Sequence, residues 1–237
     1  MTRRLSRIDI LAAAAPFIGF VAALLILLVI VIAVGESPVR AVQAIVRITT
    51  GNASRLATVL SQAIPLFLAG IAVAIAFRAG VFNIGAEGQY FIGGFVGALA
   101  GIYLGLPPFL HIPVVVICSM IGGAMWASIP ALLKVKRGVH EVITTIMLNN
   151  IAVLLVNYLV NEPFSGIQAG ESLEPQTTPI RETALFGKLN GFFRALGWNI
   201  GDHVYLDYSL IVAIIMGFLL WFLMFKTRYG FEVRAVG

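Results

Sequence analysis

From Ile10 to Val34 the chain runs for 25 residues without a charge. A run of that length crosses the hydrocarbon core of a bilayer as a helix. In lipid every backbone N–H and C=O must be satisfied from within, which restricts spanning structure to helices and closed barrels. Further apolar segments follow at about 56–77, 90–105, 112–133, 141–160 and 207–225. The third is shorter than the usual ~20 residues. It reaches a normal length only by borrowing from the polar stretch before it. Composition points the same way: 59% of residues are hydrophobic and 11% charged, where a soluble domain carries about a quarter charged. The expected fold is all-α, a polytopic membrane protein of about six spans joined by loops. The first run exceeds a signal-peptide core in length, so it reads as a retained span.

Loop charge orients these spans. Arg3, Arg4, Arg7, Arg78, Lys134, Lys136, Arg137, Lys226, Arg228 and Arg234 fall on one side. Arg40, Arg47, Arg55, Arg181, Lys188 and Arg194 fall on the other, spread over longer loops. Basic loops stay in the cytoplasm, which predicts a cytoplasmic N-terminus in a bacterial-type cell membrane and an external loop at 161–206. That loop is rich in Gly, Pro and Asn, with a short helix expected near 183–196. The net charge of +5 is explained by these loops and not by nucleic acid. Cys118 is a lone cysteine inside an apolar run, a small hydrophobe with no disulfide partner.

Gly93, Gly97, Gly101 and Gly105 recur at four-residue spacing, as do Ser119, Gly123, Ala127 and Ala131. Such stripes let helix backbones approach where lipid supplies no hydrophobic drive. They predict tight packing, in the sharper form between the third and fourth spans. The fifth span carries Glu141, Thr144, Thr145, Asn149, Asn150 and Asn157. Asn150 and Asn157 lie on one helix face, with Thr145 and Asn149 on its neighbour. Amides at that depth either glue helices together or line a wet pathway. Gln62, near Pro65 in the second span, poses the same choice, and the proline is expected to kink that helix.

The stretch "FRAGVFNIGAEGQYF" at 77–91 sits between two apolar runs. Gly80, Gly85 and Gly88 permit a break in the helix, and Asn83, Glu87 and Gln89 supply polar groups there. Irregular backbone at membrane depth is tolerated only inside protein or beside water. Gly-interrupted segments point to transport sites, whereas a plain interfacial turn anchored by Arg78 is the simpler alternative. Glu87 and Glu141 read as structural, pairing with Arg78 or Lys136 or capping a helix start.

Enzyme signatures are missing. "HEVIT" at 140–144 lacks the second histidine of a zinc-protease motif, and no phosphate-binding G-x-x-x-x-G-K-[ST] loop occurs. Three scattered histidines make no metal site, and no cofactor is implied.

"FRAGVFNIGAEGQYFIGG" resembles the signature segment of ABC-importer permeases of the branched-chain amino acid, ribose and nucleoside type. "GVHEVITTIMLNNIAVLLVNYLV" at 138–160 is similar to a second segment of those proteins, and "TRYGFEVRAVG" at 227–237 to the start of their cytoplasmic coupling loop. "FNIGAEGQ" together with "EVITTIMLN" is nearest the nucleoside-uptake branch. The resemblance implies a permease subunit that pairs with a second permease subunit, is driven by an ABC ATPase subunit, and takes solute from an extracellular binding protein or lipoprotein. It carries Asn83, Glu87, Gln89, Glu141 and Asn149 as motif positions. It places Thr227, Gly230, Arg234, Ala235 and Gly237 in the ATPase-docking loop. Such permeases have about ten spans, so the resemblance implies the first part of one, ending within the coupling motif.

A neutral polar solute suits a passage of Asn, Gln and Thr, whose amides and hydroxyls exchange hydrogen bonds without net charge. A nucleoside is expected first and a sugar second. A stand-alone channel or secondary carrier is the rival within transport. A membrane-embedded enzyme using His140 and Glu141 is the rival outside it.

Overall fold

A computed structural model describes residues 7–166, 176–198, 200–201, 204 and 206–236, with side chains from Ile18 to Ala235 among them. They are almost wholly helical. No strand forms among them, only isolated bridges at Ser165–Thr177 and Lys188–Asp207. By contact the chain divides into a unit ending at Val59 and a unit beginning at Leu60.

In the first unit, α1 (Arg7–Ala33) covers the long uncharged run and α2 (Pro38–Thr50) follows it. Pro38 opens α2 at its first turn, where a missing N–H costs nothing. Ile18–Ala33 and Pro38–Thr50 meet at a bend of 113°. α2 is an element the hydropathy runs did not reveal. Its signal is a spacing: Val39, Val42, Ile45 and Val46 fall on one helical face and Arg40 and Arg47 on the opposite one. The unit closes on the start of α3 (Ala53–Arg78). The Asn52 side chain accepts from the Arg55 N–H at 2.8 Å, a local N-cap.

The second unit holds the rest of α3, α4 (Ala86–Tyr103), α5 (Pro108–Arg137), α6 (Glu141–Asn161), a 3-10 turn at Glu182–Ala184, α7 (Asn190–Ala195), α8 (Ser209–Lys226) and α9 (Arg228–Val236). Among the described residues, four helices are long and apolar enough to cross a membrane: α3, α5, α6 and α8. The bent α1–α2 pair makes a fifth if it counts as one span. The chain is therefore a polytopic helical membrane protein. α4 is absent from that group because it does borrow Ala86 to Gln89 from the polar stretch, which dilutes its hydropathy. Pro65 lies within α3, which runs on past it as one helix.

Side chains are distributed for lipid. Leu66, Leu154 and Phe218 are 74%, 69% and 62% exposed, while among the described residues the largest fully buried side chains are Ile200, Leu206 and His111. In water so much exposed apolar surface would drive association; in a bilayer it is the solvated face.

α4 is the pivot of this unit, packed on α5 and α6. Gly93, Gly97 and Gly101 are buried, as the small-residue ladder anticipates. A Cβ on Gly93 would sit 2.8 Å from the Ser119 carbonyl oxygen of α5. Gly105 lies beyond the helix end. At that end Arg181 donates its backbone N–H to Gly101 O (3.1 Å) and its Nε to Ile102 O (2.8 Å). Buried His111 links Thr183 Oγ1 (2.8 Å) to Ala100 O (3.2 Å). The Gly101 and Ile102 carbonyls, which α4 leaves unpaired at its end, are thus taken up by Arg181, some 80 residues onward.

The short helix expected near 183–196 is divided into the 3-10 turn and α7. A small core of Leu189, Ile200, Val204 and Leu206 supports it. The Asn190 side chain donates to Gly201 O and Val204 O. Residues 167–175, 199, 202–203 and 205 of the expected external loop lie outside the described residues, as do Arg3, Arg4 and Gly237.

Candidate functional site: a cavity at a helix break

α3 stops at Arg78. Gly80 adopts φ +68°, a left-handed conformation that costs any residue with a Cβ. The Val81 N–H reaches back to Ala76 O (3.0 Å) and the Gly80 N–H to Phe77 O (3.1 Å). This 6→1 and 5→2 pair defines a Schellman stop. Phe77 and Phe82 pack across it with centroids 5.0 Å apart. Residues 79–85 are non-helical, so the break expected from the glycines is present.

The loop then has to start α4 in buried surroundings. Gly85 is the N-cap residue and has no side chain to cap with. Asn83 Oδ1 accepts from the Gly85 N–H and from Gln89 Nε2, both at 3.1 Å. This is an Asx turn extended by one amide. The remaining cap comes from another helix. Asn149 of α6 accepts from the Gly88 N–H through Oδ1 at 2.9 Å and donates Nδ2 to Ile84 O at 2.9 Å. Glu87 Oε2 lies 3.5 Å from the same Nδ2. Gly88 makes room for this: a Cβ there would meet Asn149 Oδ1 at 2.9 Å and Trp126 Nε1 at 3.0 Å. Glu87 stands in the first turn of α4, where the helix dipole favours an anion.

Beside this junction lies an open cavity of ≈ 300 Å³. Asn83, Gln89, Lys134, Glu141 and Thr145 supply its polar groups; its apolar wall includes Ala127 and Ala131. The α5 small-residue stripe therefore does two things. Its Ser119–Gly123 half receives α4, and its Ala127–Ala131 half is left open as cavity wall. Thr145 is buried and returns its hydroxyl to Glu141 O at 2.8 Å.

Glu141 pairs with Lys134, Oε1 to Nζ 2.7 Å, not with Arg78 or Lys136. The reason is the tight reversal at Gly138, φ +65°, which sets the last turn of α5 against the first turn of α6. Arg78 instead lies over the Phe225 ring. His140 Nδ1 accepts from the Val142 N–H at 3.4 Å, an N-cap of α6. The Lys134 side chain is 41% exposed and Glu141's 16%, so solvent screening keeps the contribution of the pair small. Lys134→Glu and Glu141→Lys each set like charges against each other and are expected to lower the thermal midpoint slightly, with the double swap restoring most of it. A double-mutant cycle on thermal midpoints measures this; a swap no better than the singles would exclude the pairing.

The structure brings together Asn83, Glu87, Gln89, Glu141, Thr145 and Asn149. It does not bring in three others. Gln62, Asn150 and Asn157 are exposed on their helices, with Asn150 Nδ2 donating back to Ile146 O. Lys134 is the cavity residue that sequence reasoning missed, although it stood in the basic loop set. The expected coupling segment is α9. Thr227 Oγ1 accepts from the Gly230 N–H at 3.2 Å, capping it. Gly230 is buried against the Leu223 and Met224 carbonyls at the end of α8.

Residues 55–237 match the family described as the branched-chain amino acid transport system / permease component. The chain belongs to this family. Its similarity to curated relatives agrees. It is 37% identical over 178 residues to the guanosine ABC transporter permease protein NupP of Bacillus subtilis, covering 75% of this chain and 48% of the relative. To the glucose ABC transporter permease protein TsgB13 of Haloferax volcanii it is 35% identical, covering 96% and 59%. To the nucleoside ABC transporter permease protein NupB of Lactococcus lactis it is 31% identical, covering 94% and 60%. This member of the permease family thus spans about half to three-fifths of the length of those relatives. No solved structure matches it. The family and these relatives are transport permeases.

Proposed function

We propose that this chain forms part of the translocation pathway of an ABC importer for a small neutral polar solute, a nucleoside first. The carrying observation is the convergence of Asn83, Gln89 and Thr145, from a helix break and a facing helix, on one cavity. Amide and hydroxyl groups there exchange hydrogen bonds with a sugar ring or a base without calling for charge, and the Lys134–Glu141 ion pair at the cavity is internally neutral. Glu87 and Asn149 hold the wall in place, and Gln62, Asn150 and Asn157 are assigned to surfaces other helices of a longer permease would cover. ATP hydrolysis belongs to a partner ATPase docking at α9, through Thr227, Gly230, Arg234, Ala235 and Gly237. A second permease subunit and an external binding protein complete the assembly, with the N-terminus cytoplasmic and 161–206 outside. In this reading the chain is the first part of a roughly ten-span permease.

A sugar is the second reading, favoured by the glucose permease that matches 96% of this chain. Uptake of labelled guanosine into proteoliposomes holding the permease, its ATPase and its binding protein separates these. The expected result is ATP-dependent uptake, unaffected by excess glucose. Competition by glucose would move the assignment to sugars. Uptake that persists without ATP would replace the importer with a channel or secondary carrier.

A further inference from the structure

We infer that Phe225 is a positioning residue, the joint through which α9 sets the place of the cavity wall. Its ring, one residue before the end of α8, takes two cations. Arg78 Cζ lies 4.9 Å from the ring centroid and Arg234 Cζ 5.2 Å. The Arg234 guanidinium is itself fixed, Nε donating to Gly230 O at 3.0 Å. Arg78 is the last residue of α3, and Ala79, Val81, Phe82 and Asn83 after it line the cavity. One aromatic ring thus joins the terminal helix to the end of α3 at the broken segment.

The rest of the α3–α8 contact is thin. It runs through Gly217, where a Cβ would meet Phe67 at 2.9 Å and Ile71 at 3.4 Å, and an apolar pocket of ≈ 160 Å³ opens between there and Arg78. The two helices can therefore shift beside each other unless their ends are tied. Cation–π attraction depends on the ring quadrupole, which an aliphatic side chain of similar size lacks. The two guanidinium groups repel each other, and the ring they share draws them together.

The functional half of this inference rests on the proposed reading of α9 as the ATPase-docking element; the structural half does not. Spin labels at Ala72 and Ala235, in the full chain with Cys118→Ser in lipid nanodiscs, report the distance between α3 and α9. Phe225→Leu is expected to raise the population of long distances roughly fivefold or more, while Phe225→Trp keeps the narrow distribution. In the complex with its ATPase, Phe225→Leu should lower solute moved per ATP severalfold, and Phe225→Trp should restore it. A Phe225→Leu distribution as narrow as wild type, or a Phe225→Trp one as broad as leucine's, would overturn the joint. Broadening with solute per ATP unchanged would overturn its coupling to the cavity. If the wild type shows no ATP-driven uptake, the importer reading fails, and the distance distributions still decide the joint.

Discussion

Replacing Asn149 by leucine is expected to lower the thermal midpoint of the detergent-solubilised protein by roughly 10 °C. The branched shape is kept, with added bulk, but two backbone groups lose their partners: the buried Gly88 N–H and the part-buried Ile84 carbonyl. Each orphaned buried group costs about 1–3 kcal/mol. For a chain of this size each 1 kcal/mol shifts the midpoint by about 2–4 °C. Asn149→Asp adds a discriminating case. Aspartate still accepts from Gly88 but cannot donate to Ile84, and it brings a second carboxylate near Glu87. It should fall short of wild type even though the cap itself is kept. Hydrogen exchange at the Gly88 amide gives the local readout, with protection lost in the leucine variant. A leucine variant melting within about 2 °C of wild type would show that α4 does not depend on this cross-helix cap.

Gly93→Val is expected to be at least as damaging, by about 3 kcal/mol or more, as overpacking at a rigid contact. The new Cβ would sit 2.8 Å from a backbone oxygen of α5, and no rotamer relieves a clash with a helix backbone. α4 and α5 must separate, and the buried glycine seam that replaces hydrophobic drive in lipid is lost. The neighbouring Gly94 is the control. A Cβ there meets nothing within 4 Å, so Gly94→Ala should be neutral or gain roughly 0.5–1 kcal/mol from helix propensity. Equal melting of the two variants would remove the seam from the account.

What the sequence makes readable is local. Uninterrupted apolar length marks α1, α3, α5, α6 and α8. Gly80 marks the break because only a residue without a Cβ rests easily at that φ. The four-residue glycine spacing marks the α4–α5 seam. Even the shortness of the third segment has its counterpart in α4 starting at Ala86. What remains hidden depends on residues far apart in the chain. Nothing near Gly85 says that its cap arrives from Asn149, or that Arg181 and His111 take up the other end of α4. Helix periodicity groups Asn150 with Asn157 correctly, but periodicity alone does not say which face turns inward; packing on α4 turns Asn149 and Thr145 inward. Lys134 rather than Lys136 meets Glu141 because the chain reverses at Gly138, and that geometry is visible only once both helices are placed. α2 was readable in principle, from its two-faced pattern, but a search for long apolar runs passes over a helix with a charged side.

The 113° bend between Ile18–Ala33 and Pro38–Thr50 has a mechanical consequence. Arg40, Ala41 and Ala44 of α2 turn into the crook beside Ile30, Val31 and Val34 of α1, so Val39, Val42, Ile45 and Val46 are left on the outer side of the elbow, each more than half exposed. The chain doubles back on itself there, and the elbow is braced on its concave side while its convex apolar face stays uncovered.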